Sequence, residues 1–600
     1  MQQAVGAKDD LRVERGGEPA PYRLLQPFVE ALAHPVFRLV WFTGLFANLG
    51  DWAQSVAAAW VLTVTQAGPL LIALIQVATA VPLVLLSLPT GALADVHDRR
   101  KMILAGEGCC VLGGLGLTLL GVLDLLEPIG LIGLTFLIAI GYALEGPAWQ
   151  AAVGDMVPKP AVASAVLLNS INYNVARALG PAIGGLLLAW LGASWVFLIA
   201  TASFAGLMAA VWSWKWRPAR SALPPETLRE AVTAGLRFAR HSLVTRRVAT
   251  RSFIFGFCAS SVWALLPLLA LEQLGEDAVG YGILLGALGI GAVCGGFVVQ
   301  PARDKLGTSR LISASAFVFA AVLVVLGTVH ITAVLVPVLF LGGVAWIAVV
   351  STYNTAVQLL VPDWVKARAM AIYQMALYGG LALGSVAWGA VAESLGVAAT
   401  LAASGAALLA GVLWALRLKI PDIALVDLRA APARKLELPA LPIDPRRDTV
   451  MVVVEYRVGP EQERDFVRAA ARLREVRLRN GASRWSLFRD AADRLKWSEV
   501  YFVDSWYQHL RLLARLTAAD RELIDRVGRL HQGPAPPSVR HAISWRRRGR
   551  RMPAAKPVDG PARPAGETIP LPAGPGMGPP AGLQPVGPEP GRPTSASGRP

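Results

Sequence analysis

The sequence predicts an all-α membrane protein of twelve helices, followed by a small α+β soluble domain near its C-terminal end. Of its 600 residues, 54% are hydrophobic and 16% are charged, whereas soluble proteins carry about a quarter charged residues. The hydrophobic residues are concentrated between Phe37 and Leu416, in runs long enough to cross a bilayer core of about 30 Å as helices. Residues 448–545 differ, because short alternating and amphipathic segments replace the long apolar runs there.

Twelve apolar segments are predicted to span the membrane. Gly and Pro recur inside several of them, which membrane helices tolerate because neighbouring helices satisfy the freed backbone groups. In chain order the predicted spans are 37–64, 69–93, 102–124, 128–149, 162–190, 193–215, 248–272, 279–300, 310–329, 332–356, 367–392 and 396–416.

An internal repeat divides these spans into two groups of six. When the sequence is shifted by 204 positions against itself, a few scattered positions hold the same residue type. The matched pairs are Gly91 with Gly295, Arg99 with Arg303, Lys101 with Lys305, Pro158 with Pro362 and Gly180 with Gly384. Chance explains any single match equally well. Together with the span count, they predict a 6+6 pseudo-repeat, an architecture typical of secondary transporters, whose sites lie between the repeats.

The predicted domains follow from these spans and from the change in composition at each end. They are a cytoplasmic N-terminal segment, 1–34; a first six-helix half, 35–216; a cytoplasmic central loop, 217–247; a second six-helix half, 248–418; a linker, 419–447; the cytoplasmic α+β domain, 448–545; and a basic, then Pro/Gly-rich disordered tail, 546–600.

The basic residues predict the orientation of the spans. Between Arg38 and Lys419, every Lys and Arg except Arg177 falls in a loop or helix end on one side. The loops on the opposite side contain no Lys or Arg, and several of them contain Asp or Glu. The positive-inside rule therefore places both termini in the cytoplasm. The net charge of +16 is interpreted as attraction to anionic lipids of the inner leaflet, and no nucleic acid partner is expected. The four cysteines lie in apolar runs, so neither a metal nor a cofactor is predicted.

The stretch "GALADVHDRRK", residues 91–101, lies between two spans. It resembles the loop between helices 2 and 3 of the major facilitator superfamily, G-x-L-a-D-r-x-G-r-k, although Val96 and Asp98 replace a usual base and a usual Gly. The resemblance implies an inner-face gating motif; the alternative is an ordinary positive loop. The motif residues are Gly91, Asp95, Arg99, Arg100 and Lys101, and Glu107, Glu145 and Asp155 are expected to join their charge network.

A second patch, "ARALGPAIGG", contains Arg177 and the motif residues Gly180, Pro181, Gly184 and Gly185. It resembles in part the Gly-Pro motif on helix 5 of facilitator antiporters and exporters. The glycines permit close helix contact and the proline permits a bend.

The third resemblance covers roughly residues 35–545. The segments "RLREVRLRNGASRWSLFRDA" and "SWYQHLRLLARLTAADRELIDRVGRLH" closely resemble the C-terminal extension of the transmembrane secretion effector family, the subgroup similar to bacterial enterobactin exporters. "GPAWQAAVGDMVP" and "ARAMAIYQMALYGGLALGS" are similar to the same family's helix 4–5 and 10–11 junctions. The resemblance implies a multi-pass exporter of the bacterial inner membrane, with no assignment of its substrate.

Residues 449–545 read strand, helix, strand, strand, helix, strand, an order that predicts a ferredoxin-like domain. The domain resembles the dimeric α/β-barrel modules related to antibiotic-biosynthesis monooxygenases, so a homodimer through this domain is an open alternative. His509, Arg511, Arg515 and Asp520 lie close together in sequence. No nucleophile elbow, metal spacing or phosphate loop accompanies them, so we expect no enzyme activity.

Polar residues within the spans are the candidate functional sites, because an ionisable group in the bilayer core is costly unless paired or hydrated. Asp51 and Arg177 lie about 20 Å along their spans at 1.5 Å per residue, and we expect them to pair or share a network that couples transport to protons. The alternative is a static pair that fixes helix packing. The candidate residues of the substrate path are Asn48, Gln54, Glu145, Asn169, Asn172, Trp263, Asn354 and Gln358.

These features predict a secondary active transporter that exports a small hydrophobic or amphipathic molecule, siderophore-like or drug-like, in exchange for protons. No ATP-binding P-loop is present, which favours a gradient as the energy source. Two alternatives remain at this point: an importer on the same fold, and a membrane-tethered sensor or enzyme acting through residues 449–545.

Overall fold

The computed structural model describes residues 31–66, 68–96, 98–158, 161–214, 228–421, 431 and 448–544. The predictions for residues 1–30, for most of the linker and for the tail after 544 lie outside these described residues.

The first half contains six long helices, each of which begins or ends close to its predicted boundary. They are α1, Pro35–Val64; α2, Pro69–Val96; α3, Arg99–Val122; α4, Pro128–Asp155; α5, Val162–Leu191; and α6, Ala193–Ser213.

A strongly amphipathic helix, α7, Leu228–His241, precedes the second half. The second half again contains six long helices. They are α8, Leu243–Leu268, which continues as one π-helical turn to Gln273; α9, Ala278–Leu306; α10, Thr308–Thr328; α11, Thr332–Leu360; α12, Lys366–Leu395; and α13, Val397–Ala415.

Eleven of these helices, α2–α6 and α8–α13, are long and apolar enough to cross a membrane. Helix α1 has 30 residues, about 45 Å at 1.5 Å per residue, so its length is sufficient. Its composition differs because Asn48, Asp51 and Gln54 interrupt the apolar run. The exact number of twelve spans therefore stays a prediction.

The two halves contact each other through small residues. A Cβ added at Gly185 of α5 would lie 2.8 Å from the Ala278 carbonyl oxygen of α9, and one at Gly389 of α12 would lie 2.7 Å from Ala73 Cβ of α2. Trp60 stacks on Tyr281 with ring centroids 5.7 Å apart. Glycine permits such backbone approach, and all three contacts lie at the end of the bundle opposite α7.

The soluble module, residues 448–544, contains four strands and three helices. The strands are β1, Val450–Arg457; β2, Arg484–Arg489; β3, Lys496–Val503; and β4, Ser538–Ile543. The helices are α14, Glu463–Asn480; α15, Trp506–Ala514; and α16, Ala518–Arg529. The sheet is antiparallel in the order β2-β3-β1-β4. The second predicted helix is thus two helices, because Thr517 and Asp520 form a capping box that starts α16.

A buried ion pair lies between the sheet and α14 of the module. Arg477 Nε donates to Glu499 Oε1 at 3.0 Å, and Trp485 Nε1 donates to the same oxygen at 2.9 Å. Burial alone would lower the pKa of Arg477, but the adjacent Glu499 carboxylate raises it. Tyr456 donates its hydroxyl to Glu499 Oε2 at 3.2 Å, so both carboxylate oxygens are satisfied.

The module packs against α7 and the α11–α12 turn. Arg237 Nη1 donates to the Gly481 carbonyl oxygen at 2.8 Å, and His241 Nδ1 lies 3.0 Å from Glu475 Oε2. The Arg515 guanidinium lies 4.1 Å from the Trp364 ring centroid. These contacts place the module at one end of the bundle, which we call the module end.

Candidate transport path and coupling site

Three carboxyl groups meet inside the first half, from helices α1, α3 and α4. Helices α3 and α4 approach closely because a Cβ at Gly106 would lie 2.6 Å from the Gly141 carbonyl oxygen. This approach brings Glu107 and Glu145 into hydrogen-bonding contact. Asp51 lies next to them, with the Tyr142 hydroxyl as its hydrogen-bond neighbour. We call Asp51, Glu107, Glu145 and Tyr142 the acid cluster.

The members of the acid cluster differ in their exposure to solvent. Glu107 is 2% exposed and Glu145 is 8% exposed, whereas Asp51 is partly accessible. Oxygen Oε2 of each glutamate is buried and has no hydrogen-bond donor among the described residues. Two adjacent carboxyl groups form a mutual hydrogen bond only when one of them holds a proton. The arrangement can therefore store and release protons.

Arg177 does not lie in the acid cluster. Its charged group lies over the Trp346 ring of α11, 5.7 Å from the centroid, and its electrostatic neighbours are Tyr173, Tyr373 and Tyr378. The described residues show no ion pair between Asp51 and Arg177. The expectation that these two residues pair is therefore not met in this conformation, since α5 directs Arg177 across to the second half.

Aromatic side chains pack together between helices α8, α10 and α11 of the second half, which correspond to α1, α3 and α4. Trp346 lies 4.3 Å from Trp263 and 5.4 Å from Phe255, both on α8, and 6.1 Å from Phe319 on α10, measured between ring centroids. We call Phe255, Trp263, Phe319 and Trp346 the aromatic cluster. Trp263, a predicted path residue, thus packs against the other rings of this cluster.

The predicted path residues of the first half mostly bond between helices. Asn48 Nδ2 donates to Asn172 Oδ1 at 3.1 Å, and Asn172 Nδ2 donates to the Trp41 carbonyl oxygen at 2.7 Å. Trp149 Nε1 donates to Asn169 Oδ1 at 3.0 Å. These bonds join α5 to α1 and α4, as polar side chains often do between membrane helices.

Gln54 and the two predicted path residues of α11 have different surroundings. Gln54 is 1% exposed, and its Nε2 has no acceptor among the described residues. Gln358 is exposed and donates to Asn354 Oδ1 at 2.7 Å. Asn354 and Gln358 follow Trp346 at helical spacing, so they lie on the module side of the aromatic cluster.

The basic turn after α2 forms a network at the module end. Arg99 Nη1 lies 2.7 Å from Asp155 Oδ2, and Arg100 Nε donates to the Val211 carbonyl oxygen. Asp98 caps α3 by accepting from the Arg100 backbone N–H at 2.9 Å. The backbone of Gly91 and Asp95 lies in α2, and Lys101 is exposed.

Glu107 does not take part in this basic network. It was expected beside Asp155, but about two turns of α3 separate it from Arg99, and its partner is Glu145. Glu145 likewise faces the acid cluster and not the path surface. The prediction that both glutamates join the charge network beside Asp155 is therefore wrong in this structure, and Tyr142 was not among the predicted residues. The positions of these residues in the spans do not show that close α3–α4 contact joins them.

The Gly-Pro segment of α5 packs on α1 and α9. A Cβ at Gly180 would lie 2.5 Å from Trp52 Cβ, and one at Gly184 would lie 2.6 Å from Ala53 Cα. Gly185 contacts the second half, and Pro181 lies inside the helix. Among the described residues, no group of three or more His, Cys, Asp or Glu side chains could hold a metal ion.

The chain is similar to curated bacterial transporters. It is 25% identical over 414 residues to the multidrug efflux pump Tap of Mycolicibacterium fortuitum, covering 66% of this chain and 98% of that protein. It is 30% identical over 337 residues to the enterobactin exporter EntS of Shigella boydii, covering 53% of this chain and 76% of that protein. The staphyloferrin A transporter of Staphylococcus aureus is 23% identical over 360 residues, covering 60% and 89%.

Solved transporter structures share the fold. A POT family transporter in complex with 5-aminolevulinic acid matches with a TM-score of 0.51 and 14% identity, covering 64% of this chain and 95% of that chain. The nucleoside transporter NupG matches with a TM-score of 0.50 and 12% identity, covering 64% and 99%. At these identities the likeness establishes the fold alone.

The family model described as transmembrane secretion effector matches residues 27–549, which includes both halves and the soluble module. A match of this length, together with the similarity to efflux pumps and siderophore exporters, means that the protein is a multi-pass transporter and not an enzyme. The chain belongs to the transmembrane secretion effector family of the major facilitator superfamily.

Proposed function

We propose that this chain is a proton-coupled exporter of the bacterial inner membrane, which moves a small hydrophobic or amphipathic molecule outward by alternating access. The observation that carries the proposal is the acid cluster. Its carboxyl groups have one another, Tyr142 and Cys110 as neighbours, and no cation among the residues that the structure describes. Carboxyl groups without a cation in the membrane exchange protons more readily than permanent ion pairs do.

In this proposal Asp51 is the entry point of the proton. It is partly accessible on α1, whereas Glu145 and Glu107 lie deeper, so a proton reaches them through Asp51 and Tyr142. Release of the proton toward the cytoplasm restores the charge on the cluster. The change of charge shifts the balance between the two orientations of the halves, because a charged cluster requires water that a closed path excludes.

The contacts between the halves support an inward-facing conformation. Gly185, Trp60 and Gly389 close the end opposite the module. The basic loops at the module end then face the cytoplasm by the positive-inside rule, with both termini on that side. The exposed basic side chains there, such as Lys101, would contact anionic lipid headgroups.

The substrate proposal draws on the relatives. Tap is named for multidrug efflux and EntS for enterobactin export, so a drug-like or siderophore-like molecule is the class we propose. For the module we infer a ferredoxin-like fold, because the antiparallel order β2-β3-β1-β4 suits the β-α-β-β-α-β plan.

The test uses everted membrane vesicles from cells that produce the full chain. Respiration acidifies the vesicle interior, and a fluorescent weak base reports the pH gradient. A panel of anionic, neutral and cationic amphipathic compounds is added from outside. A substrate of a proton-coupled exporter enters in exchange for protons and restores fluorescence, and Asp51→Asn abolishes this response.

The same vesicles separate export from import. An exporter accumulates its substrate inside everted vesicles, and a protonophore prevents that accumulation. An importer depletes preloaded vesicles instead. Chain-dependent accumulation that is insensitive to the protonophore would contradict proton coupling, and depletion would contradict export.

A further inference from the structure

We propose that Arg177 and Trp346 form the substrate subsite for an anionic group, so that the transported molecule is an organic anion with an aromatic or planar apolar part. This inference rests on the proposed transport function, and it names the charge of the substrate that sequence patterns left open.

The first argument is the charge of Arg177. An arginine stays protonated under physiological conditions, and a charge near the middle of a span is costly unless it is paired or hydrated. Among the described residues Arg177 has neither an ion pair nor a hydrogen bond; its neighbours are the Trp346 ring and three tyrosines. Asp51, Glu107 and Glu145 belong to a separate cluster, so none of these carboxyl groups supplies the anion that Arg177 lacks among the described residues.

The second argument is an unused donor on Trp346. Its side chain is 6% exposed, and its indole Nε1 is buried without an acceptor among the described residues. An indole N–H is a donor only, and leaving a buried donor unpaired costs about 1–3 kcal/mol. An anionic oxygen near Arg177 supplies the acceptor that both residues lack.

The third argument is the position of the pair between the halves. Arg177 extends from α5 of the first half, and Trp346 belongs to α11 of the second. Tyr173 precedes Arg177 by one turn and is 46% exposed, and the exposed Gln358 follows Trp346 toward the same end. A path open at the module end would therefore run past polar side chains to the pair.

The aromatic cluster accounts for the apolar part of the proposed ligand. Trp263 lies 4.3 Å from Trp346, the ring that Arg177 contacts, and it is only partly buried. Aromatic faces bind planar apolar groups by offset or edge contacts. Anchoring an anion at Arg177 and its ring on the second half would give the substrate contacts in both halves.

The experiment measures binding to the purified full chain in nanodiscs by calorimetry, with three probes of the same shape: 2-naphthoate, neutral 2-naphthamide and cationic 2-naphthylmethylammonium. We expect the wild type to bind the anion at least about tenfold more tightly than the amide, since a charge-assisted hydrogen bond contributes about 1.5–3 kcal/mol. Arg177→Gln should lose that preference and keep its affinity for the amide.

Two further variants and one control make the result specific. Arg177→Lys keeps the charge and should retain part of the preference, and Trp346→Phe keeps a ring but loses the N–H and should reduce it by a smaller factor. Arg310→Gln, which removes an exposed base at the module end, should bind all three probes as the wild type does. Amide binding by Arg177→Gln also reports that this variant is folded.

The proposal fails if the wild type shows no preference for the anion, or if Arg177→Gln binds the anion as tightly as the wild type does. Binding needs no gradient, so this outcome is independent of the vesicle test. A chain that prefers the anion but moves no protons would contradict the coupling proposal alone.

Discussion

Corresponding helices in the two halves of the membrane domain surround side chains of opposite character, ionisable in one half and apolar in the other. In the first half, α1, α3 and α4 surround three carboxyl groups and a tyrosine. In the second half, the equivalent helices α8, α10 and α11 surround four aromatic rings. Corresponding helices of the two halves therefore surround different side chains: ionisable groups in the first half and apolar rings in the second.

The comparison is sharpest between α4 and α11, which start 204 positions apart, at Pro128 and Thr332. Under that shift Tyr142 corresponds to Trp346, and Glu145 corresponds to Val349, which is 0% exposed. One helix face thus carries a hydroxyl and a carboxyl group in the first half, and an indole and an aliphatic side chain in the second.

The largest effect is expected when a carboxyl group is placed in the second half. Val349→Glu would bury an acid among aromatic rings with no carboxyl partner, and we expect a loss of stability of about 3 kcal/mol or more. The measurement is the thermal unfolding of the purified chain. Leu359→Glu, at a half-exposed position of the same helix, should change it much less. Equal destabilisation by the two variants would contradict the contrast between the halves.

The next effect concerns proton coupling through the first half. Asp51→Asn keeps the shape of the side chain and removes its titration, so proton exchange in everted vesicles should fall about 100-fold, equivalent to about 2.7 kcal/mol. Asp304→Asn, which changes an exposed acid of α9, should leave the exchange unchanged. Normal proton exchange with its usual pH dependence in Asp51→Asn would show that another group couples transport.

A third change makes the first half resemble the second. In Glu107→Leu/Glu145→Val, both buried glutamates become aliphatic, and replacing buried polar pairs by apolar residues is often stabilising by about 2 kcal/mol. We expect a raised melting temperature together with lost proton exchange. A variant that melts lower than the wild type would indicate that the acid cluster is retained for packing and not for transport.

Most of the fold could be predicted because long apolar runs and loop charges are local properties of the sequence. The helix boundaries from Pro69 to Ala415 agree with the predicted spans within a few residues at most ends. Helix α1 is the instructive case. The polar residues that make it a candidate path helix also remove it from the eleven clear spans.

The candidate site was less predictable because contacts between helices depend on rotation about each axis. Asp51 and Arg177 have similar depth, but depth does not show which way a side chain points, and their partners are different groups. Glu107 and Glu145 meet through the contact of Gly106 with Gly141. Cross-half contacts such as Arg177 with Trp346 join residues that no local pattern relates.

The soluble module also buries titratable groups, and these differ from the acid cluster of the membrane domain. The smallest predicted effect concerns one of them. Glu499 is buried with its cation, Arg477, unlike the acids of the membrane half. His509 is the opposite case: burial, with His541 Nε2 only 3.1 Å from its own Nε2, lowers the pKa of His509 to about 3. The imidazole therefore stays neutral in the folded module at neutral and mildly acidic pH.

Acid should then weaken the module through His509. Between pH 6.5 and 3 the unfolded chain binds a proton at this residue and the folded chain does not, so stability falls as the pH falls. At pH 5.5 the loss is about 1.4 kcal/mol. Hydrogen exchange of module peptides in the full chain, corrected for intrinsic rates, should show this loss between pH 7 and 5.5. His509→Gln should remove most of this loss, and the remainder belongs to His541, whose pKa burial also lowers. His531→Gln, at an intermediate surface position, should retain the full loss. An unchanged loss in His509→Gln would assign the acid sensitivity to another group.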